Sequence, residues 1–247
     1  MDFLASPEFW LALGQIIIID ILLGGDNAVV IALACRKLPP AQRTQGIIWG
    51  TAGAIILRVI LIAFAMTLLA LPFLKFVGAI LLVWIGVKLL APDEDGHGDV
   101  AGSDRLLAAI KTIIVADLVM SVDNVIAIAG AAQNAGEHQF LLVVLGLLIS
   151  IPIIVWGSQL VIKLMERFPF IITLGGMLLG WIAGGMLVTD PVFSNPDKWQ
   201  WMLKIPQTDM IRYGASVAGA LLVLALGKMI LARRAAAAAA APPVEHG

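Results

Sequence analysis

Residues 16–35 read IIIIDILLGGDNAVVIALAC, and residues 113–131 read IIVADLVMSVDNVIAIAGA. Each stretch is apolar enough to lie in a bilayer, yet each carries two aspartates in the pattern D-x5-D-N. A charge at the centre of a membrane helix costs about 2.5–3.5 kcal/mol even on the lenient insertion scale. A chain with Asp20, Asp26, Asp117 and Asp123 in such runs must therefore fold so that these acids face one another or a polar chamber, not lipid.

The rest of the 247 residues agree with a membrane setting: 60% are hydrophobic and only 13% are charged. A soluble core of this size does not need that much apolar surface. Runs of about 20 apolar residues span a bilayer as helices, and these runs do not alternate as barrel strands would. Seven spans are predicted, near 8–34, 45–70, 73–91, 105–132, 139–163, 169–189 and 208–232. The fold class is thus an all-α membrane protein with seven transmembrane helices. The start, MDFLASPEFW, has no basic n-region and reads as leading into a retained span. Cys35 is the single cysteine, so neither a disulfide framework nor a thiolate cluster is available.

Shifting the sequence by 97 places lays Asp20 on Asp117, Asp26 on Asp123 and Asn27 on Asn124. The same shift pairs Pro72 with Pro169, Gly78 with Gly175, Trp84 with Trp181 and Asp93 with Asp190. This is a duplication. Each copy holds three helices, an odd number, so the second copy is inserted upside down relative to the first. Inverted repeats of this kind place a transporter's site near the midplane.

The domain plan is a first repeat at 1–92, an acidic Gly-rich linker at 93–104 and a second, inverted repeat at 105–190. An interfacial loop follows at 191–206, then the seventh helix at 207–233 and a disordered Ala/Pro tail at 234–247. The linker only superficially resembles a calcium loop, since His97 stands among its acids and the bidentate Glu is missing. With seven spans, Arg36, Lys37, Arg43, Lys88, Arg105, Lys163, Arg167, Lys228, Arg233 and Arg234 fall on one side. Lys75, Lys198, Lys204 and Arg212 fall on the other. The positive-inside rule then puts the N-terminus out and the C-terminus in, in a multi-pass protein of the inner (plasma) membrane.

On an ideal helix Asp20 shares a face with Asn27, and Asp117 with Ser121 and Asn124, whereas Asp26 and Asp123 point elsewhere. Gly24-Gly25 is a weak point at which the first helix could unwind. If helices 1 and 4 run antiparallel and cross near Leu23 and Met120, Asp20 approaches Asp123 and Asp26 approaches Asp117. The candidate metal set is Asp20, Asp26, Asn27, Asp117, Ser121, Asp123 and Asn124. These are hard oxygen donors, suited to Mg²⁺, Ca²⁺ or Mn²⁺. Four carboxylates exceed the charge of one dication, so protons taken up by turns would fit proton coupling. Arg58, mid-way along helix 2, opposes an apolar counterpart, Ile153 or Ile154. It either stands in for the ion as a counter-ion or forms an ordinary buried ion pair.

DILLGGDNAVVIA and DLVMSVDNVIAIA resemble the two signatures of the TerC family of integral membrane proteins, within the wider LysE-type transporter superfamily. The resemblance covers residues 8 to 232. It departs where Asp20 replaces a common glutamate and Gly24 a frequent serine. The resemblance implies a secondary transporter exporting a divalent cation, Mn²⁺ first, with Asp20, Asp26, Asp117 and Asp123 as metal-site acids. No cofactor is permanently bound on this reading. The implied partners are lipid and the cation, without nucleic acid; a homodimer or a contact with the secretion machinery is compatible. Alternatives are a membrane partner that delivers metal to exported proteins and a LysE-like amino-acid exporter. An enzyme is disfavoured, because Leu23 breaks the G-x-G-D of intramembrane aspartyl proteases.

Overall fold

The structure, a computed structural model, describes residues 7–64, 71–92, 102–133, 139–194 and 204–240. Helices are the only regular elements among the described residues: α1 (Pro7–Cys35), α2 (Pro40–Ala63), α3 (Leu74–Leu90), α4 (Gly102–Gln133), α5 (Gln139–Arg167), α6 (Phe170–Val188), the short α7 (Pro191–Ser194) and α8 (Asp209–Ala240). Taken singly, α2, α5, α6 and α8 are long and apolar enough to cross a bilayer, and α1 makes a fifth if its two halves form one span. At 17 residues, α3 is about 25 Å long at 1.5 Å per residue, short of the hydrocarbon thickness. The acids and bases of α4 dilute its hydropathy.

Several ends differ from expectation. Pro40 opens α2 at a first-turn position, where a missing N–H costs nothing, so this helix starts before residue 45. Residues 102–104, expected in the linker, form the first turn of α4. The last helix runs through Ala240 into the stretch expected to be disordered, because alanine has the highest helix propensity. The calcium-like loop at 93–101 and the tryptophans at 199 and 201 lie outside the described residues.

The packing is inside-out relative to a soluble protein. Trp49 and Trp156, like Ile56 and Trp84, are well exposed at the periphery, while Asp20, Asn27, Thr51, Arg58, Asp117, Ser121 and Ser150 are buried. Only a surrounding of lipid makes that distribution favourable.

Two helix pairs build the centre. Along α1 and α5, Ile16 meets Gly146, Gly24 meets Ile154 and Ala28 meets Gly157, so the two helices run parallel. Along α2 and α4, Gly46 meets Leu106, Gly50 meets Ile113 and Gly53 meets Ile114, again in parallel. The fits are equivalent: a Cβ on Gly146 would lie 2.5 Å from Ile16, and one on Gly50 would lie 2.6 Å from Ile113. Ile113 is the counterpart of Ile16 at the 97-residue shift. In each case a glycine notch takes an isoleucine from the other half of the chain, where a larger residue could not fit.

Antiparallel contacts close the periphery, α3 on α6 through Gly86 and Gly176, and α6 on α8 through Gly180 with Gly219 and Gly184 with Ala215. A Cβ on Gly184 would overlap the Ala215 carbonyl, which is backbone and cannot yield. Gly184→Ala is therefore expected to destabilise by about 1–3 kcal/mol or more. Gly14→Ala, with nothing within 4 Å of the new Cβ, is expected to stay within about 1 kcal/mol of the parent. Thermal unfolding in detergent compares the two.

Asp190 is fully buried, and it is the repeat counterpart of Asp93. Its carboxylate accepts the backbone N–H groups of Phe73 at 3.1 Å, Phe76 at 3.0 Å and Val192 at 2.9 Å. One side chain thus caps α3 and α7 together, satisfying donors that a helix start leaves unpaired. It holds Phe73 at a φ of 64°, a conformation unusual for a bulky residue. This acid is used up by structure.

Candidate functional site

The centre of the molecule holds one closed polar network. Arg58, 3% exposed, reaches from α2 toward α1 and α4. Its Nη1 donates to Asp20 Oδ1 at 2.5 Å, its Nη2 donates to Asp117 Oδ1, and its Nε donates to Ser121 Oγ at 3.0 Å. The Ser121 hydroxyl in turn donates to Asp117 Oδ2 at 3.1 Å. From α5, the Ser150 hydroxyl donates to Asp20 Oδ2. Every carboxylate oxygen of the pair is thereby engaged, as a buried ion pair requires if it is not to cost more than it contributes.

Asp20 and Asp117 hold the same place in the two D-x5-D-N motifs, and they meet on one guanidinium. The expected crossing register set Asp20 against Asp123 instead; the bridge observed is between positions 20 and 117. The reason is that Arg58 has two terminal nitrogens and sits between α1 and α4, so it gathers the two equivalent acids. The Asp123 side chain lies outside the described residues.

The network treats the surroundings of the two motifs unequally. A shift of 96 superposes α2 on α5, and puts Arg58 on Ile154. Where Arg58 bonds Ser121 on α4, Ile154 packs on Gly24 of α1, the counterpart of Ser121. One half of the centre is polar and cationic at that place, and the other is apolar. A single positive charge therefore faces two carboxylates.

The first helix bends beside these groups, Phe9–Leu22 and Gly24–Cys35 meeting at 43°, but it stays helical through Gly24-Gly25 and does not unwind there. Beyond the bend, Asp26 and Asn27 part company. Asp26, half-buried, accepts the Asn27 N–H at 2.9 Å and lines a cavity of about 250 Å³. That cavity also has Asn124, Arg212, Tyr213 and Ser216 in its wall, so α8, which lies outside the duplication, closes it. Asn27 faces the other way, into a void of about 20 Å³ shared with Thr51, Arg58 and Asp117. Successive residues about 100° apart on a helix explain the division.

All the sequence-predicted residues with described side chains thus lie at the network or at one of the two cavities. They do not converge on a single point: among the described residues, no three His, Cys, Asp or Glu side chains gather as a metal cluster. Sequence reasoning missed Ser150 and Thr51. The signal that could have found them is asymmetry, since at the 96-residue shift Ser150 falls on Ala54 and Thr51 on Leu147.

Comparison with known proteins gives a consistent assignment. Residues 5–235 match the family described as "Integral membrane protein TerC family". The chain is 45% identical over 187 residues to the uncharacterized membrane protein YjbE of Bacillus subtilis, covering 76% of this chain and 84% of that one. It is 27% identical over 183 residues to the inner membrane protein YgdQ of Escherichia coli, covering 67% of this chain and 75% of the relative. The uncharacterized membrane protein YceF of Bacillus subtilis is 27% identical over 191 residues, covering 74% and 72%. No solved structure matches.

Proposed function

The chain belongs to the TerC family of integral membrane proteins, and on that premise we propose that it is a secondary transporter exporting a divalent cation, Mn²⁺ first, across the inner membrane. The observation that carries this reading is the pair of equivalent acids, Asp20 and Asp117, buried together with one guanidinium between them. A network built only for stability would match its groups one to one; this one sets two carboxyl groups against a single guanidinium in the membrane interior, where an unpaired charge is costly. Arg58 acts as a stand-in cation: when it swings off one carboxylate, that carboxylate is free for a metal. Asp26 and Asn124 line the approach, and protons exchanged on the acids couple the flux.

Seven spans in two inverted repeats, with the N-terminus out, are the arrangement we adopt. Its support is directional. The short connection between Cys35 and Pro40 turns α1 back into α2, and α2 runs parallel to α4. The first helix of one repeat is therefore antiparallel to the first helix of the other, as inversion requires. The 43° bend in α1 supports the same plan, because bent or discontinuous helices border the sites of inverted-repeat transporters.

One observation favours a second reading. The 250 Å³ cavity has Asp26 and Arg212 in its wall, together with Trp181 and Tyr213, one charge of each sign for the ammonium and carboxylate of an amino acid. The test is flux into proteoliposomes holding the purified chain, with Mn²⁺, Mg²⁺, Ca²⁺ and lysine offered separately, with and without a pH gradient. Saturable Mn²⁺ flux that responds to the pH gradient is expected. Lysine flux without Mn²⁺ flux would overturn the reading in favour of the second.

A further inference from the structure

We propose that Asn27 and Thr51 form a second seat for the Arg58 guanidinium, which turns onto them when a cation takes Asp117. The two act as positioning residues, through Arg58. The trigger rests on the transport function proposed above; the seat itself does not.

Asn27 and Thr51 are 4% and 3% exposed. Asn27 Oδ1, Asn27 Nδ2 and Thr51 Oγ1 have no hydrogen-bond partner among the described residues. Buried polar atoms are nearly always partnered, so two acceptors kept free in the interior call for a donor. Both residues line a void of about 20 Å³, and Arg58 and Asp117 stand in the same wall. Arg58 Nη2 donates to Asp117 Oδ1. The donor, its present acceptor and the two free acceptors thus all belong to residues around one void.

The space and its lining suit that donor. A volume of about 20 Å³ holds one water-sized group, the size of a single amino group of the guanidinium. The rest of the wall is aliphatic, which suits a planar cation more weakly hydrated than an ammonium. Thr51 and Arg58 are seven residues apart on α2, and positions i and i+7 share a helix face. Long side chains on a helix lean toward its N-terminus, which carries Arg58 toward Thr51. At the 96-residue shift both fall on apolar residues of α5, Leu147 and Ile154. Where the guanidinium is absent, so is the hydroxyl.

Asp117 decides which seat is taken. A charge-assisted bond to a carboxylate is roughly twice as strong as a neutral one, so Arg58 rests on Asp117 while that acid is free. A cation on Asp117 cancels its pull, and Nη2 then turns to Asn27 Oδ1 and Thr51 Oγ1. The bond from Nη1 to Asp20 is kept. Without the second seat, the guanidinium would leave Asp117 only by losing a buried hydrogen bond. The move adds no charge to the centre, so it holds for any protonation of Asp20 and Asp26.

A double-mutant cycle on the full chain in detergent reads the seat without transport. Thr51 is unpartnered while Arg58 rests on Asp117, so Thr51→Val is expected to keep Tm within about 2 °C of the parent. Asp117→Asn sends Nη2 to the seat, and there Thr51→Val is expected to lower Tm by about 4 °C or more. The new carboxamide could itself reach Thr51, so Asp117→Leu, which brings no donor, repeats the measurement with the same loss expected. If Asp117→Leu does not fold, Arg58→Met is added to Asp117→Asn, and the loss is expected to vanish. Equal effects of Thr51→Val with and without Asp117 would overturn the seat; a water held by Asn27 and Thr51 gives that result. No loss in Asp117→Leu, or a loss that outlives Arg58, would overturn it too.

Mn²⁺ flux in proteoliposomes tests the trigger. Thr51→Val is expected to raise the half-maximal Mn²⁺ concentration at least about tenfold, and Thr51→Ser to restore it. An unchanged half-maximal concentration in Thr51→Val would overturn the trigger. Coupling in the cycle without divalent flux in the parent would overturn the transport function and leave the seat standing. Divalent flux without coupling would do the reverse.

Discussion

Replacing Arg58 with methionine is expected to lower the unfolding free energy by about 3–5 kcal/mol, the cost of removing one partner from a buried charge pair. The effect is large because the guanidinium is buried and serves Asp20, Asp117 and Ser121 at once. Methionine fills similar volume, so the loss measures charge and hydrogen bonds more than packing. The triple change Arg58→Met, Asp20→Asn and Asp117→Asn removes all the charges together and is expected to recover most of that stability, because a neutral centre no longer holds uncompensated carboxylates. Thermal unfolding of the single and triple variants gives the coupling directly. If the single variant is as stable as the parent, Arg58 is not the electrostatic centre of the fold.

The second large effect is on transport. Asp117→Asn leaves Arg58 paired with Asp20 alone, one positive charge against one negative, so the fold is expected to stay within about 1–2 kcal/mol of the parent. The extra negative charge is gone, however, and with it the attraction for a cation. Divalent flux in proteoliposomes is expected to fall by at least about 100-fold, as loss of a carboxylate ligand exceeds the 10–100-fold typical of outer-shell changes. Asp20→Asn should behave alike, since Asp20 holds the equivalent place on the same guanidinium. A variant that is folded and still transports at the parent rate would remove these acids from the ion path. Arg58→Met cannot make this distinction, because it changes stability and charge together.

The sequence was informative wherever one residue's cost in lipid could be read alone. Two aspartates in each of two apolar runs are expensive in a bilayer whatever the tertiary contacts, and so they marked the centre. The motif's second copy likewise showed in residue identities, and most apolar runs fell where helices form. Ends were less legible. Pro40 and the alanines after Arg234 extend helices by local propensity, against a span estimate that counted only apolar length.

Pairing across the centre is where sequence reasoning ran out. A crossing near Leu23 and Met120 would bring Asp20 toward Asp123, but the position of a residue on its own helix does not fix the register between helices. Register is set by shape: Gly146 must receive Ile16, and Gly50 must receive Ile113. Those notches fix α1 against α5 and α2 against α4, which puts Arg58 where both equivalent acids can reach it.

The sequence by itself determined that four acids lie in apolar runs carrying one motif twice, because the cost of a charge in lipid and the repetition of a motif are properties of residues in order. Only the tertiary structure decided that Asp20 and Asp117 share Arg58, that Ser150 completes their hydrogen bonds, and that Asn27 and Thr51 are left facing one small void. Those relations depend on how closely neighbouring helices approach and at what register, and that is decided by the fit of side chains into glycine notches between segments far apart in the chain.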